Sequence, residues 1–206
     1  MKVILIGGGG HSKVILYIIK RDYPEWFVFG YISQQETGID IKYLGTEQDI
    51  YKFDPKEFCL VMAIGQVDLG YSRREIVQKL TSRGYSFLTV ISRYSIIASG
   101  VRIGRGTVVM DKVLVNVDSY IGDFCILNSG CIVEHDCKIG DFVHIAPGAV
   151  LSGGVKVGDH CFIGAGSVVK HYTSICDNVI VGAGGVVNKD IIDQGTYVGV
   201  PVRKIK

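Results

Sequence analysis

The sequence lacks a long apolar segment. Its N-terminus is apolar only over Val3–Ile6 before a run of glycines begins. That stretch is too short for the apolar part of a signal peptide, which needs roughly 7–15 residues, or for a membrane-spanning helix, which needs about 20. We therefore expect a cytoplasmic protein without membrane insertion.

An excess of charge of one sign is also missing. The 206 residues carry a net charge of +2, and 20% of them are charged. A surface that binds nucleic acid needs Lys and Arg concentrated on one face, and the sequence has no such concentration. Nucleic acid is therefore not an expected partner.

A repeat of six residues runs without a break from Ile97 to Ile192. Its first residue is aliphatic in sixteen consecutive hexapeptides: Ile97, Ile103, Val109, Val115, Ile121, Leu127, Val133, Ile139, Ile145, Leu151, Val157, Ile163, Val169, Ile175, Val181 and Val187. The fifth residue is small or β-branched, with Ile191 as the one larger member. The second is often Gly or Asn, which tolerate positive φ at tight corners.

A period of six fits neither an α-helix nor a hairpin meander, and it predicts a parallel β-helix. Three hexapeptides make one triangular coil of eighteen residues, with the aliphatic side chain inside and the small one in a corner. Successive coils then pair as parallel strands about 4.8 Å apart. The period alone sets neither the handedness of the coil nor its use as an enzyme or a structural rod.

The six cysteines match no disulfide or metal-binding pattern. Four of them, at positions 125, 131, 137 and 161, occupy the small position of the repeat. In a cytosolic protein such cysteines are expected to be small apolar fillers and not disulfides. No close Cys-x-x-Cys pair is present, so we expect no zinc site built from them.

Residues 1–91 alternate between strand and helix patterns, which predicts a Rossmann-like α/β domain with a parallel sheet. The expected elements are strand Lys2–Ile6, helix His11–Arg21, strand Phe27–Ile32, a short helix Glu47–Tyr51 capped by Thr46, strand Phe58–Ile64, helix Tyr71–Arg83 and strand Ser86–Ile91. Residues 92–206 are expected to form the second domain, an all-β helix with a C-terminal tail.

Ligands of parallel sheets bind beyond the carboxyl ends of the strands. Gly7–His11, Ile32-Ser33 and Gly65-Gln66 fall at those ends. The glycine run departs from the G-x-G-x-x-G fingerprint, because Ser12 and Lys13 stand where the third glycine would be needed. Its amides and the helix N-terminus could still hold a phosphate, and a tight turn without a ligand is the alternative.

Two of the four histidines in the repeat stand out. His135 lies between Glu134 and Asp136, and a carboxylate beside an imidazole fixes its tautomer and raises its basicity, as a general base requires. His144 follows nine residues later, which is half a coil. The two can share a site only across a subunit interface, or if their side chains reach round the prism. Spacings of 9, 16 and 11 residues separate the four histidines, so a zinc site built from them is not expected.

Several motifs resemble those of one enzyme family. They are Gly9-Gly10-His11, Ala63-Ile64-Gly65, Glu134-His135-Asp136, His144-Ile145-Ala146-Pro147-Gly148 and Gly199-Val200-Pro201. They are similar to motifs of the left-handed β-helix acyltransferases, in particular the sugar-nucleotide N-acetyltransferases of bacillosamine and perosamine type, and sialic acid O-acetyltransferases share the pattern. The resemblance covers nearly the whole chain. It implies a left-handed coil, acetyl-CoA as cosubstrate, no metal, and a homotrimer with sites at the subunit interfaces.

The resemblance also implies roles for single residues. His135 matches the catalytic base, Asp136 the acidic residue that orients it, and His144 a residue at the acetyl-CoA thioester. The residues expected at the sugar-nucleotide pocket are Gly9, Gly10, His11, Ile32, Ser33 and Gly65. Some relatives carry an acidic pair at the positions of Ile32 and Ser33, so the nucleotide or the sugar can differ here.

The path of CoA along the prism is expected at positions that recur every eighteen residues. Gly164-Ala165 and Gly182-Ala183 form such a pair, and the absence of bulky side chains there would let pantetheine approach the main chain. The alternative is that these residues are small only because they must fit a corner of the prism, with no contact to CoA. The resemblance favours contact with CoA.

Together these features predict acetyl transfer from acetyl-CoA to the amino group of a nucleotide-linked amino sugar of the 4-amino-4,6-dideoxy type, for bacterial surface glycan synthesis. Two alternatives stay open: O-acetylation of a sialic acid, and a non-catalytic β-helix scaffold. Glu134-His135-Asp136 argues against the scaffold, because a rod has no use for an imidazole held between carboxylates. The sequence does not choose among UDP, GDP and dTDP, and it does not identify the sugar.

Overall fold

A computed structural model describes residues 1–69 and 71–206 of the chain. The chain divides into two compact units, one made of Met1–Gly65 and Ser72–Val90 and the other of Gln66–Tyr71 and Ile91–Lys206. The short segment Gln66–Tyr71 therefore packs with the second unit although it lies between elements of the first. Among the described residues, no helix is long and apolar enough to cross a membrane.

The first unit is an α/β fold around a parallel sheet. Its strands are β1 (Lys2–Ile6), β2 (Phe27–Ile32) and β3 (Phe58–Met62), in the order β2-β1-β3. Its helices are α1 (Gly10–Asp22), a 3-10 helix (Glu47–Lys52) and α2 (Tyr71–Thr81). The central strand β1 is buried from Val3 to Ile6, as expected for a parallel strand that is covered on both faces. The predicted α/β architecture is confirmed.

The predicted strand Ser86–Ile91 is wrong in its extent. Phe87 forms a single bridge to Leu60, with hydrogen bonds from Leu60 N–H to Ser86 O (2.9 Å) and from Leu88 N–H to Leu60 O (2.8 Å). The chain then forms a separate two-residue strand, β4 (Val90–Ile91). Because pairing with β3 ends after one residue, the sheet of the first unit has three strands among the described residues.

The second unit is a parallel β-solenoid. Within residues 91–206, all of which are described, sixteen short strands lie one in each predicted hexapeptide: β5 (Ile96–Ile97), β6 (Arg102–Ile103), β7 (Val108–Val109), β8 (Leu114–Val115), β9 (Tyr120–Ile121), β10 (Ile126–Leu127), β11 (Ile132–Val133), β12 (Lys138–Ile139), β13 (His144–Ile145), β14 (Val150–Leu151), β15 (Lys156–Val157), β16 (Phe162–Ile163), β17 (Val168–Val169), β18 (Ser174–Ile175), β19 (Val179–Val181) and β20 (Val186–Val187). The solenoid therefore follows the predicted repeat strand by strand.

The strands of the solenoid form three sheets in which neighbours lie eighteen residues apart. Ile126 pairs with His144, and His144 pairs with Phe162. The predicted coil of three hexapeptides is confirmed. After the last coil, β21 (Gly195–Gly199) extends the sheet that contains β19, and β22 (Val202–Lys204) pairs with β21 as an antiparallel hairpin.

Small residues at the fifth position of the repeat do more than fill the corners. The Ser119 hydroxyl donates to Glu134 O at 2.8 Å, and the Cys125 thiol donates to Gly140 O at 3.1 Å. In both cases the carbonyl lies fifteen residues later, in the next coil. Side-chain hydrogen bonds therefore link successive coils in addition to the strand ladders.

Glycine follows the inward aliphatic residue for a reason other than the positive φ that the sequence suggests. Their φ angles are not positive; positive φ falls two residues later, as at Phe124 (φ 55°) and Phe142 (φ 55°). A Cβ on Gly104 would lie 2.5 Å from the carbonyl oxygen of Gly122 in the next coil. Close approach between coils therefore excludes a side chain at these positions.

The buried cysteines should be inert toward thiol reagents. Burial raises the pKa of the Cys131 and Cys161 thiols to about 12 and that of Cys137 to about 11. Because only the thiolate is reactive, we expect a thiol reagent at pH 8 to modify the half-buried Cys59 and Cys176 before the four buried cysteines in the native protein. In guanidinium all six cysteines should react. Peptide mass spectrometry measures the modified positions, and rapid modification of native Cys131 would contradict the expectation.

Candidate functional site

A cavity of about 1000 Å³ lies in the first unit at the carboxyl ends of its three strands. Its lining includes the residues predicted at the sugar-nucleotide pocket: Gly9, Gly10, His11, Ile32, Ser33 and Gly65. Because β1 lies between β2 and β3, the chain changes direction across the sheet here, and such switch points are where parallel sheets bind ligands. The fold therefore brings all six residues to one cavity.

The glycine turn after β1 has two tight positions and two open ones. Gly7 has a φ of 126°, and a Cβ there would lie 2.7 Å from the main chain that follows β3. A Cβ on Gly8 would lie 2.9 Å from Ser33 Oγ. Positions 9 and 10 have open space where a Cβ would stand. Because α1 begins at Gly10, amides at the positive end of a helix lie in the cavity wall.

Ser12 accounts for the departure from the G-x-G-x-x-G fingerprint. In that fingerprint the third glycine permits close packing of the helix on the sheet. Here the Ser12 side chain is buried, and its hydroxyl donates to Ala63 O at 2.8 Å. A hydrogen bond therefore ties α1 to the chain leaving β3, in the place where the fingerprint uses bare backbone contact.

Two charged residues in the cavity wall carry no sequence signal for a binding role. Glu47 of the 3-10 helix and Lys79 of α2 line the cavity, and Lys79 Nζ lies 2.5 Å from Glu47 Oε1. The hydrogen bond to Glu47 raises the pKa of Lys79, so the wall holds an ion pair of a Lys ammonium and a Glu carboxylate. Both residues occupy polar positions typical of any exposed helix, which is why a sequence pattern does not find them.

His135 follows β11 at a corner of the solenoid. Its Nδ1 lies 2.8 Å from Asp136 Oδ2. Because an ionised carboxylate only accepts hydrogen bonds, Nδ1 carries the hydrogen and Nε2 is left with a lone pair. The His135 side chain is 46% exposed. The arrangement is that of an accessible base held in one tautomer by a carboxylate.

The second carboxylate predicted beside His135 has another partner. Glu134 Oε2 accepts a hydrogen bond from Asn116 Nδ2 at 2.9 Å. Asn116 lies eighteen residues earlier, in the coil before. Glu134 therefore braces an adjacent coil, whereas Asp136, which has a φ of 59° at the turn, contacts His135. The prediction of two carboxylates on this imidazole is therefore wrong for Glu134.

The His135 ring lies over Gly153 of the next coil. A Cβ on Gly153 would stand 2.5 Å from His135 Nε2, closer than real Cβ contacts allow. The Gly154 N–H donates to His135 O at 2.8 Å, which fixes the two backbones relative to each other. Gly153 therefore provides the space that the imidazole occupies. Its only sequence signal is the spacing of eighteen residues from His135.

His144 lies in β13 and is buried, with 6% exposure. Its Nδ1 lies 2.5 Å from Gln66 O, and because a carbonyl oxygen only accepts, Nδ1 carries the hydrogen. Its Nε2 lies 3.1 Å from Asn128 Nδ2. Asn128 Oδ1 accepts from Ser129 N–H at 2.8 Å, so the amide is oriented with its NH₂ group toward His144. Both ring nitrogens of His144 are thus engaged inside the protein.

His135 and His144 are not brought together within one chain. β11 and β13, the strands beside them, belong to different sheets of the solenoid. The two imidazoles therefore lie on different sides of the prism, as their spacing of nine residues predicts.

The small residues of the predicted CoA path align along one corner. Ala165 and Ala183 are exposed there, one coil apart. A Cβ on Gly164 would lie 2.6 Å from Ala183 N, and one on Gly182 would lie 2.8 Å from Val198 Cγ1 of the terminal hairpin. The glycines are thus required by packing, while the alanines leave an exposed strip without bulky side chains. The corner follows β16 and β19, in the same sheet as His144.

The remaining two histidines of the solenoid stand apart from these groups. His160 is buried, stacks on Phe142 with 5.2 Å between ring centroids, and has Nδ1 3.1 Å from Leu69 O. His171 packs edge-on against Tyr172. Within residues 1–69 and 71–206, no three side chains of the metal-binding types gather into a group.

Three family models match the chain. The PglD N-terminal domain matches residues 2–80. The bacterial transferase hexapeptide model, which spans six repeats, matches residues 118–153, and the hexapeptide repeat of succinyl-transferase matches residues 154–189. No curated protein matches the chain.

Several solved structures are similar to the chain over its whole length. The acetyltransferase domain of PglB from Neisseria gonorrhoeae FA1090 is 30% identical, with a TM-score of 0.92 over 99% of both chains, and it is also known in complex with acetyl coenzyme A. A mutant perosamine N-acetyltransferase from Caulobacter crescentus, in complex with CoA and GDP-perosamine, is 32% identical, with a TM-score of 0.92 over 100% of this chain and 97% of that one. WeeI from Acinetobacter baumannii AYE is 27% identical, with a TM-score of 0.89 over 100% of both chains. The chain therefore belongs to the left-handed β-helix, hexapeptide-repeat sugar acetyltransferases that carry a PglD-type N-terminal domain.

Proposed function

We propose that this protein transfers the acetyl group of acetyl-CoA to the amino group of a nucleotide-linked amino sugar of the 4-amino-4,6-dideoxy type. One observation carries the proposal: relatives at 30% and 32% identity over nearly the whole chain hold acetyl coenzyme A in one case, and CoA with GDP-perosamine in the other. The product would serve surface glycan synthesis. We propose a cytoplasmic location for the enzyme.

The nucleotide-sugar is proposed to bind in the cavity of the N-terminal domain, residues 1–91. Its volume of about 1000 Å³ lies at the upper end of the range of about 300–1,000 Å³ for ligand pockets. The amides of Gly9 and Gly10 at the start of α1 suit a diphosphate, and no side chain of these residues blocks the approach. The Lys79 ammonium, paired with Glu47, lies in the same cavity wall. Ser33 and the His11 side chain would complete the polar contacts to the ligand.

His135 is proposed as the general base of the β-helix domain, residues 92–206. As the amine lone pair attacks the thioester carbonyl carbon, Nε2 takes a proton from the nitrogen, and Asp136 stabilises the imidazolium that forms. The tetrahedral intermediate then breaks its C–S bond, and the imidazolium returns the proton to the sulfur of CoA. No acyl-enzyme is needed. The buried thiols, such as Cys131 with its pKa of about 12, cannot readily supply a thiolate for one.

CoA is proposed to lie along the corner that carries Ala165 and Ala183, with its thioester near His144. Since His135 and His144 lie on different sides of one solenoid, a single chain does not complete the site. We infer a homotrimer in which His135 of one subunit faces His144 of another. This arrangement accounts for a buried, fully engaged His144 on one side of the prism and an exposed base on the other.

The test of the function is an acetylation assay. Purified protein is incubated with acetyl-CoA and with UDP-, GDP- and dTDP-linked 4-amino sugars, CMP-sialic acid or free sialic acid. CoA release and product mass are measured. We expect acetylation of one nucleotide-linked amino sugar. Acetylation of sialic acid alone would contradict the proposal that the acceptor is an amine. If no acceptor were acetylated, the result would favour a non-catalytic scaffold.

Replacing the base should remove activity without unfolding the protein. For His135→Ala we expect kcat to fall by about 10²–10⁴-fold, the usual contribution of general base catalysis, with an unchanged thermal midpoint because the side chain is partly exposed. His171→Ala is the matched control, since His171 occupies the same corner position two coils later. Full activity in the His135→Ala enzyme would refute the role of this residue.

Gly153→Ala should act on the reaction through His135. The added Cβ would lie 2.5 Å from Nε2, so the imidazole must move, and a displacement of about 1 Å can cost about 10²-fold in rate. We expect such a loss in kcat with the affinity for acetyl-CoA retained. Ser152→Ala, which adds no atom at the neighbouring position, serves as control. Equal rates for Gly153→Ala and the wild type would show that the ring tolerates the shift.

A further inference from the structure

The segment Gln66–Leu69 belongs to the second unit and lies along the solenoid. Gln66 Nε2 donates to Phe142 O at 3.1 Å, and Leu69 O lies 3.1 Å from His160 Nδ1. Phe142 and His160 are eighteen residues apart, so the segment crosses from one coil to the next. It is anchored to the solenoid by hydrogen bonds at both coils.

Gln66 is the buried anchor of this segment, with 3% exposure. Its carboxamide nitrogen donates to Asp68 O at 3.0 Å and to Phe142 O at 3.1 Å. Its main-chain oxygen faces His144 Nδ1 at 2.5 Å. Buried polar groups keep their positions when their hydrogen bonds are made. The side chain of Gln66 therefore holds in place the carbonyl that contacts His144.

The contact with Gln66 decides which nitrogen of His144 carries the hydrogen. A neutral imidazole has one N–H. With the hydrogen on Nδ1, Gln66 O accepts it and Nε2 accepts from the Asn128 amide. The opposite tautomer would set a lone pair against a carbonyl oxygen at Nδ1 and an N–H against the amide hydrogens at Nε2. Two contacts thus select the same tautomer, and in that state neutral His144 has no N–H left for a thioester oxygen.

We propose that Gln66 is a positioning residue for acetyl transfer: it holds His144 as the Nδ1-protonated tautomer and fixes the ring at the thioester end of the CoA site. The link to acetyl transfer rests on the proposed function, whereas the tautomer rests on the hydrogen bonds alone. Gln66 also directly follows Gly65, which lines the cavity.

The test combines a tautomer measurement with kinetics. In protein with ¹⁵N-labelled histidine, long-range ¹H–¹⁵N correlation distinguishes the two tautomers, and His144→Gln assigns the signal. We expect the Nδ1-protonated form in the wild type and a mixed or reversed population in Gln66→Met, which keeps the length of the side chain and removes its donors. Val67→Ser is the matched control, because Val67 is 83% exposed in the same segment.

For Gln66→Met we also expect about a tenfold lower kcat/KM for acetyl-CoA, with the KM for the nucleotide-sugar unchanged. An Nε2-protonated His144 in the wild type would overturn the proposal, even if Gln66→Met failed to fold. So would a Gln66→Met protein with the wild-type tautomer and kinetics. Wild-type protein that acetylates no acceptor would refute the proposed function, whereas the tautomer, which is read without substrate, separately decides the role of Gln66.

Discussion

Backbone hydrogen bonds between strands that pair with a register of eighteen residues hold the solenoid together and position the side chains at its corners. Each strand is only two or three residues long, so no single strand is stable by itself, and stability comes from contacts between neighbouring coils. The same register stacks side chains: His135 lies over Gly153, and Asn116 donates to Glu134. The residue types that fit at a corner are therefore limited by the residues at the same corner one coil before and one coil after.

The two histidines show how the acceptor of one N–H decides what an imidazole can do. His135 and His144 both carry hydrogen on Nδ1. His135 gives it to the Asp136 carboxylate, which stabilises a positive charge on the ring, and its ring is partly exposed. His144 gives it to the neutral carbonyl of Gln66, and its Nε2 is occupied by Asn128. The first ring is half exposed and keeps the lone pair of its Nε2, whereas both nitrogens of the second are engaged inside the protein.

Much of the fold could be predicted because it is encoded in periodicity along the chain. The inward aliphatic residue of each hexapeptide identifies all sixteen strands of the solenoid, and the apolar runs identify β1 to β3. The strand predicted at Ser86–Ile91 failed, because its apolar residues pair with β3 at one position only. Periodicity indicates which side of a strand is buried. It does not indicate over how many residues the strand pairs with its neighbour.

The candidate site could be predicted only where a residue type is unusual for its position. An imidazole between carboxylates drew attention to His135, and a glycine run drew attention to the cavity. Lys79 and Gln66 could not be found this way, because polar residues are ordinary on helices and loops. Their importance depends on what the fold places beside them. The partner of Glu134 was missed for the same reason, since it lies one coil away.

The coil of eighteen residues also limits how such a chain can change its length. Inserting six residues would turn everything downstream by one face, so His144 would leave the side of the prism that carries Asn128. Inserting eighteen would keep every residue on its face and lengthen the prism by about 4.8 Å. Insertion or deletion of a whole coil should therefore preserve the fold and the site better than insertion or deletion of a single hexapeptide. The length of the prism along which a CoA can bind then changes in steps of one coil.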